Sequence, residues 1–213
     1  MSVRIKICGV RSAEDLSLCA AAGVDYVGFN FYPGSKRVVA MEFARELMQL
    51  LPQRVQAVGV FVNASPHDVA SICARTGIGI AQLHGDEDLS DYSTLAVKLI
   101  QVIKVGPEST LDSLPVPRTR PTLFDARVEG YGGQGTSFDA SLVAAAQARW
   151  GVPLLLAGGL TPLNVAAAIR IGHPWGVDVA SGVERAPGIK DEDLLRAFVA
   201  AVRGSGETHV QQP

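Results

Sequence analysis

Eight short runs rich in β-branched residues recur along the chain, each separated from the next by enough residues for a crossover. They are RIKIC from Arg4, VDYVGFNF from Val24, VQAVGVFV from Val55, IGIAQLHG from Ile78, VKLIQVIKV from Val97, PTLFDA from Pro121, PLLLAGG from Pro153 and GVDVASG from Gly176. Strands that alternate with helical patterns form parallel βαβ units, and eight such units in one domain close into a (β/α)8 TIM barrel ringed by helices. A chain of 213 residues with 47% apolar side chains can bury one core of that size without a disulfide staple. The expectation is a single α/β barrel domain over 1–203, followed by a polar tail over 204–213 that frays. An open doubly wound sheet shares the alternation, but a dinucleotide site there needs Gly-x-Gly-x-x-Gly after the first strand. CGVRSAED offers one glycine at that point.

The intervening segments carry helix start and stop signals. Ser12 with Asp15, and Ser65 with Pro66 and Asp68, read as N-caps with capping carboxylates, and Thr161-Pro162 repeats the cap-then-proline pattern. Gly23 and Gly172 stand where helices should stop. The stretch from Gly85 to Thr94 is acidic and weakly periodic, and Pro107 to Pro117 is short and proline-bounded, so the fourth and fifth helices have the weakest signals.

Charge narrows the partner class. A net charge of -2 and a pI near 6.1, with no Lys/Arg run, supply no electrostatic footprint for nucleic acid or anionic lipid. No apolar stretch reaches the roughly 20 residues of a membrane span, and the first residues lack a signal-peptide pattern, which points to the cytoplasm. Cys8, Cys19 and Cys73 and the four histidines are scattered without metal-ligand spacing. The expected partner is a small molecule, no metal is expected, and the chain could be a monomer or a homodimer.

In such a barrel the reactive groups stand at the carboxyl ends of the strands. Those ends carry Cys8-Gly9, Asn30, Gln82 with His84, Asp125, Ala157-Gly158-Gly159 and Ala180-Ser181-Gly182. If Cys8 faces the mouth, Lys6 two residues earlier faces the interior, where an ammonium needs a partner. Asp178, at equivalent depth on the eighth strand beside the first, is the candidate. The amides of Gly158, Gly159, Ser181 and Gly182, in two adjacent strand-to-helix loops, could surround a phosphate dianion, although glycines also serve plain tight turns. The loop from Asp125 contains four glycines between Gly130 and Gly135 and suits a lid or a third phosphate contact; its plainer reading is a surface excursion. For Cys8 the plainer reading is a small buried hydrophobe, the role assigned to Cys19 and Cys73 on apolar helix faces.

Taken together, KICGV, GFNFYPGSKRVV, QLHGDE, LFDA followed by GYGGQGTSFD, LLLAGGLTPLNV and GVDVASGVERAPGIKD resemble the phosphoribosylanthranilate isomerase family, in order from Lys6 to Asp191. The resemblance implies an Amadori rearrangement of an anthranilate N-glycoside of ribose 5-phosphate, an aldose-ketose isomerisation in tryptophan biosynthesis. It implies Asp125 as the general acid on the furanose ring oxygen and Cys8 as the base at C2′. It also implies Arg37 facing the anthranilate carboxylate, Gly133, Gly135, Gly158, Gly159, Ser181 and Gly182 around the phosphate, and no cofactor, because a protonated imine is itself the electron sink. Asp178 and His84 complete the candidate substrate-binding set; His84 fits a satisfied structural histidine equally well. Lys36, Gln134 and Thr136 depart from residues common in the family, proline, threonine and lysine respectively.

Rival chemistries make different demands. An epimerase on this scaffold calls for two inward carboxylates or metal-binding histidines at the mouth. A triosephosphate isomerase calls for a glutamate after the sixth strand and would leave Cys8 idle. A phosphate-binding barrel without activity would keep the glycine loops and need neither Cys8 nor Asp125.

Overall fold

The computed structural model describes residues 2–126 and 140–205. Eight parallel strands, β1 (Arg4–Cys8), β2 (Tyr26–Asn30), β3 (Gln56–Phe61), β4 (Ile80–Leu83), β5 (Lys98–Val105), β6 (Thr122–Ala126), β7 (Leu154–Ala157) and β8 (Gly176–Val179), pair in sequence order into a closed barrel. Closure is completed by β1 on β8, with Lys6 in register with Asp178.

Among the described residues six α-helices pack outside: α1 (Ala13–Ala22), α2 (Met41–Leu50), α3 (Pro66–Thr76), α4 (Ser141–Trp150), α5 (Val165–Gly172) and α6 (Glu192–Gly204). The fourth and fifth crossovers contain no α-helix among the described residues. The one after β4 has a single 3-10 turn at Leu89–Tyr92, and the one after β5 runs through turns. Pro107, Pro115, Pro117 and Pro121 each lack the N–H that an α-helical ladder needs.

The caps follow the sequence in part. Ser12 accepts from the Asp15 N–H and Ser65 from the Asp68 N–H, and Gly23 ends α1 at φ 74°. Thr161 is not a cap: Thr161 to Asn164 forms a turn in which the Thr161 N–H donates to Asn164 Oδ1, and α5 begins only at Val165. Gly172 remains inside α5, and His173 takes the left-handed position that ends it. Gly204 is the last residue of α6, and residues 206–213 of the expected polar tail lie outside the described residues.

Two apolar layers result. Side chains that face the helices, such as Ile5, Ile7, Val27, Phe29, Phe124 and Val177, pack against Leu16, Leu47, Val143, Ile169 and Phe198. Cys19 and Cys73 lie buried in these helix contacts, and burial pushes their thiols up to about 12 and about 11. Inside the barrel, Val58, Ile100, Leu123 and Leu155 fill the middle. Each such side chain contributes about 1.5–3 kcal/mol on burial.

Strand register then fixes which residues look inward. Because Cβ direction alternates, the pairs Lys6–Tyr26, Gly28–Val58, Val60–Gln82, Ile100–Gln82, Lys104–Asp125, Asp125–Ala157 and Lys6–Asp178 all lie on the inner surface. Cys8 and His84, two residues beyond Lys6 and Gln82, crown the same face at the mouth.

Candidate active site

Lys6 and Asp178 meet inside the barrel. The fully buried Lys6 ammonium donates to both carboxylate oxygens at 3.0 Å. Burial works to lower the Lys6 pKa, but the Asp178 charge and the groups hydrogen-bonded to the ammonium outweigh it and leave it raised. The pairing expected from the sequence is therefore present. It also commits Asp178, assigned above to substrate binding, to Lys6 with both oxygens.

Cys8 stands directly above this pair. A Cβ placed on Gly28 would sit 3.1 Å from Cys8 Sγ and 3.4 Å from Lys6 Nζ, so the bare Gly28 backbone leaves the space in which thiol and ammonium approach. Burial pushes the Cys8 thiol pKa up; Lys6 and Lys190 pull the other way, and Asp178 reinforces the rise.

Lys190 was not singled out from the sequence, although it lies in the GIKD stretch. It belongs to a small antiparallel pair after the barrel, β9 (Glu184–Ala186) and β10 (Ile189–Lys190). Its buried ammonium donates to the Cys8 carbonyl at 2.6 Å, the Ala180 carbonyl at 3.2 Å and Glu184 Oε1 at 2.9 Å. One cation thus ties the ends of β1 and β8 together. Glu184, also missed, accepts Arg37 Nε at 2.8 Å and Nη2 at 2.6 Å. Arg37 crosses Gly9 on its way: a Cβ there would lie 2.5 Å from Arg37 Cδ, and Gly9 has φ +77°. The planar fork expected for a ligand carboxylate is here made with a carboxylate of the chain itself.

On the opposite side of the mouth, His84 Nε2 lies 3.0 Å from Asp125 Oδ2, and His84 Nδ1 lies 2.9 Å from Gln82 Nε2. His84 and Asp125 are each about one-third exposed, with side-chain values of 32% and 29%, while Gln82 is fully buried. His84 is thus joined to the candidate acid, and Gln82, at the end of β4, is a third member of the group.

The glycine loops lie side by side. A Cβ on Gly158 would run into the Ala126 backbone, and one on Gly182 into the Leu160 carbonyl, so only glycine allows the loop after β8 to seat on the loop after β7. Gly158 and Gly159 have φ +93° and +61°, and Ser181 opens a single 3-10 turn, Ser181–Val183. Gly133 and Gly135 fall outside the described residues. Among the described residues no group of three or more His, Cys, Asp or Glu side chains is placed to hold a metal ion.

This constellation can be set beside known proteins. The profile of the family described as "PRAI: N-(5'phosphoribosyl)anthranilate (PRA) isomerase" matches residues 5–201. The chain belongs to that family. It is 45% identical over 207 residues to an N-(5'-phosphoribosyl)anthranilate isomerase from Myxococcus xanthus, covering 95% of this chain and 97% of the relative. The crystal structure of the Thermotoga maritima phosphoribosyl anthranilate isomerase superimposes with a TM-score of 0.86 at 38% identity, covering 95% of this chain and 99% of that one. Another isomerase crystal structure, at TM-score 0.82 and 36% identity over 95% and 99% of the chains, is a complex with reduced 1-(o-carboxyphenylamino)-1-deoxyribulose 5-phosphate.

Membership of the anthranilate isomerase family decides among the chemistries that the sequence left open and removes the epimerase, triosephosphate isomerase and inactive-barrel readings. No helix among the described residues is long and apolar enough to cross a membrane.

Proposed function

We infer that this chain isomerises N-(5'-phosphoribosyl)anthranilate to 1-(2-carboxyphenylamino)-1-deoxyribulose 5-phosphate, a step of tryptophan biosynthesis. Family membership supports the reaction, and one observation carries the assignment of roles: a thiol on β1 and a carboxylic acid on β6 face one barrel mouth beside paired glycine loops.

In this reading Asp125 gives its proton to the furanose ring oxygen. The bond from that oxygen to C1′ breaks, and the anthranilate nitrogen supplies the electron pair that forms the protonated imine. Cys8, as thiolate, then takes the proton from C2′. The electrons of that C–H bond become the C1′–C2′ double bond of an enolamine, and the imine electrons return to nitrogen. Ketonisation releases the enol proton from the C2′ oxygen to solvent and takes one from solvent at C1′, which gives the product, and the proton held by Cys8 returns by way of solvent to the Asp125 carboxylate, which resets both groups. The imine is the electron sink, so the sequence of steps is complete without a cofactor.

The environment of Cys8 explains how its half-buried thiol can serve. Burial disfavours the thiolate that this step requires, and Lys6 and Lys190 partly offset that cost by setting two fixed cations beside it. Arg37 addresses the anthranilate carboxylate, its orientation set by Glu184. The amides of Gly158, Gly159, Ser181 and Gly182 hold the phosphate, with Gly133 and Gly135 from the sixth loop. His84 acts from the rim through its contact with Asp125, and Asp178 acts from the interior through Lys6. The reading includes one isomerase domain over 1–203 working in the cytoplasm on a small phosphorylated substrate.

The test is direct. Purified protein given N-(5'-phosphoribosyl)anthranilate should abolish the substrate's fluorescence with saturation kinetics, and the gene should restore growth of a bacterial tryptophan auxotroph lacking this step. Persistent fluorescence together with failed complementation refutes the function.

A further inference from the structure

Among the described residues, Gln82 is the buried side chain in the barrel mouth whose hydrogen-bonding capacity is half used. It is completely buried, at the position on β4 that faces Val60 and Ile100, and among the described residues its Oε1 has no hydrogen-bond partner. Its other terminal atom lies 2.9 Å from His84 Nδ1, and His84 Nε2 lies 3.0 Å from Asp125 Oδ2. A buried amide therefore ends in a chain of two contacts on the acid.

The direction of that chain is decided by proton count. A neutral imidazole has one N–H and one lone pair, so whatever Gln82 presents to Nδ1 fixes what Nε2 presents to Asp125. If the amide N–H₂ donates to Nδ1, then Nε2–H points at Asp125 and favours the carboxylate. Rotation of the terminal amide by 180° exchanges O and N and moves the unpartnered position from Oε1 to Nε2. The carbonyl oxygen then accepts from Nδ1–H, and the Nε2 lone pair faces Asp125. Only a protonated carboxyl can meet that lone pair favourably; a carboxylate oxygen there would oppose lone pair to lone pair. Lys104, the β5 register partner of Asp125, directs its ammonium to Asp86 at 2.9 Å, and the β7 register partner is Ala157. Among the described residues, His84 is therefore the side chain hydrogen-bonded to Asp125.

We propose that Gln82 is a positioning residue for the general acid: its carbonyl oxygen accepts from His84 Nδ1–H, which presents the Nε2 lone pair to Asp125 and keeps a proton on Oδ2. The proposal rests on the role of Asp125 given above and adds how the acid is loaded. When Asp125 gives up its proton, the Oδ2–H bond breaks and one forms at the ring oxygen, while His84 keeps its single proton on Nδ1. The spent carboxylate then faces a lone pair, which drives it to take up a proton again before the next turnover.

The experiment uses the full chain labelled with ¹⁵N, because imidazole nitrogen shifts separate a protonated from an unprotonated ring nitrogen. At neutral pH the wild-type protein should show His84 protonated at Nδ1 and bare at Nε2. Gln82→Met, which can neither donate nor accept effectively, should lose that tautomer and lower kcat about tenfold with KM within about threefold, the size of effect typical of losing a tautomer-setting partner. Gln82→Glu keeps an acceptor toward Nδ1 and should retain the Nδ1–H tautomer and a higher kcat than Gln82→Met. A wild-type His84 protonated at Nε2, or wild-type kcat in Gln82→Met, or equal losses in the Met and Glu variants, overturns the proposal. If the wild-type protein fails to turn over N-(5'-phosphoribosyl)anthranilate, the functional reading falls on that result alone, and the ¹⁵N tautomer still decides the direction of the chain from Gln82 to Asp125.

Discussion

Arg37 and Glu184 meet edge to edge, Nε on Oε1 at 2.8 Å and Nη2 on Oε2 at 2.6 Å, and Oε1 of the same carboxylate also receives Lys190 at 2.9 Å. A residue that arrives from the second loop is thereby locked to the hairpin that follows the eighth strand. The loops that flank β1 are joined through this charge cluster, so substitutions here should divide into those that affect recognition and those that affect chemistry.

Arg37→Ala should raise KM for N-(5'-phosphoribosyl)anthranilate by about 10–100-fold, the scale of losing a hydrogen bond from a charged group, and leave kcat within about threefold. Steady-state kinetics checks this, and an unchanged KM removes Arg37 from carboxylate recognition.

Cys8→Ala and Asp125→Asn should each lower kcat by about a hundredfold or more, as the loss of a positioned base or acid does. Urea midpoints should show both variants folded. Normal turnover in either one excludes that residue from proton transfer.

Lys6→Met should cost about 3–5 kcal/mol, because Asp178 is left as an uncompensated buried charge. The double variant Lys6→Met with Asp178→Leu should recover most of that loss. Equilibrium unfolding of the two singles and the double measures the coupling, and additive losses would mean that the pair is not coupled. Where Lys6→Met remains folded, alkylation of Cys8 by iodoacetamide should require higher pH than in the wild type, because one of the two cations that favour the thiolate has gone.

Glu184 gives the protein an acid-side dependence whose sign follows from its partners. Burial works against its ionisation, yet the hydrogen bond from Arg37 and the charge of Lys190 outweigh burial and hold its pKa below the ordinary carboxyl value. A carboxylate depressed on folding contributes stability that is full above its unfolded pKa, about 4.3, and is lost as pH falls through the folded value. Thermal unfolding should therefore show Tm dropping as pH falls below about 4, and Glu184→Gln should flatten that drop. A variant with the wild-type pH profile would show that other carboxylates govern acid unfolding.

The barrel was legible because its signal is periodic and local. Runs such as VGVFV and LLLA are strand-like whatever surrounds them, and eight of them separated by crossovers leave a closed parallel barrel as the solution that buries both of their faces. Alternation within a strand also carried Lys6 to the interior, and the Lys6–Asp178 pair followed from adjacency of the first and last strands. Local signals failed where competing turns were stronger: Asn164 closes a turn ahead of the expected Thr161 start, and prolines replace a helix after β5.

Glu184 and Lys190 had no such signature. They look like part of a polar loop, and their importance exists only because a two-residue strand folds back under Cys8 and across Arg37, contacts that join positions 8, 37, 184 and 190. The same holds for Gln82, which is one polar residue in an apolar strand until His84 and Asp125 arrive from β4 and β6 to give its amide a direction. By itself the sequence determined the strands, the inward face and the residue types at each strand end, because those depend on short-range periodicity. Which charges pair, which carboxylate occupies Arg37 and which atom of an amide meets a histidine were decided only by tertiary structure, because buried electrostatic and hydrogen-bond partners are chosen by distance in space.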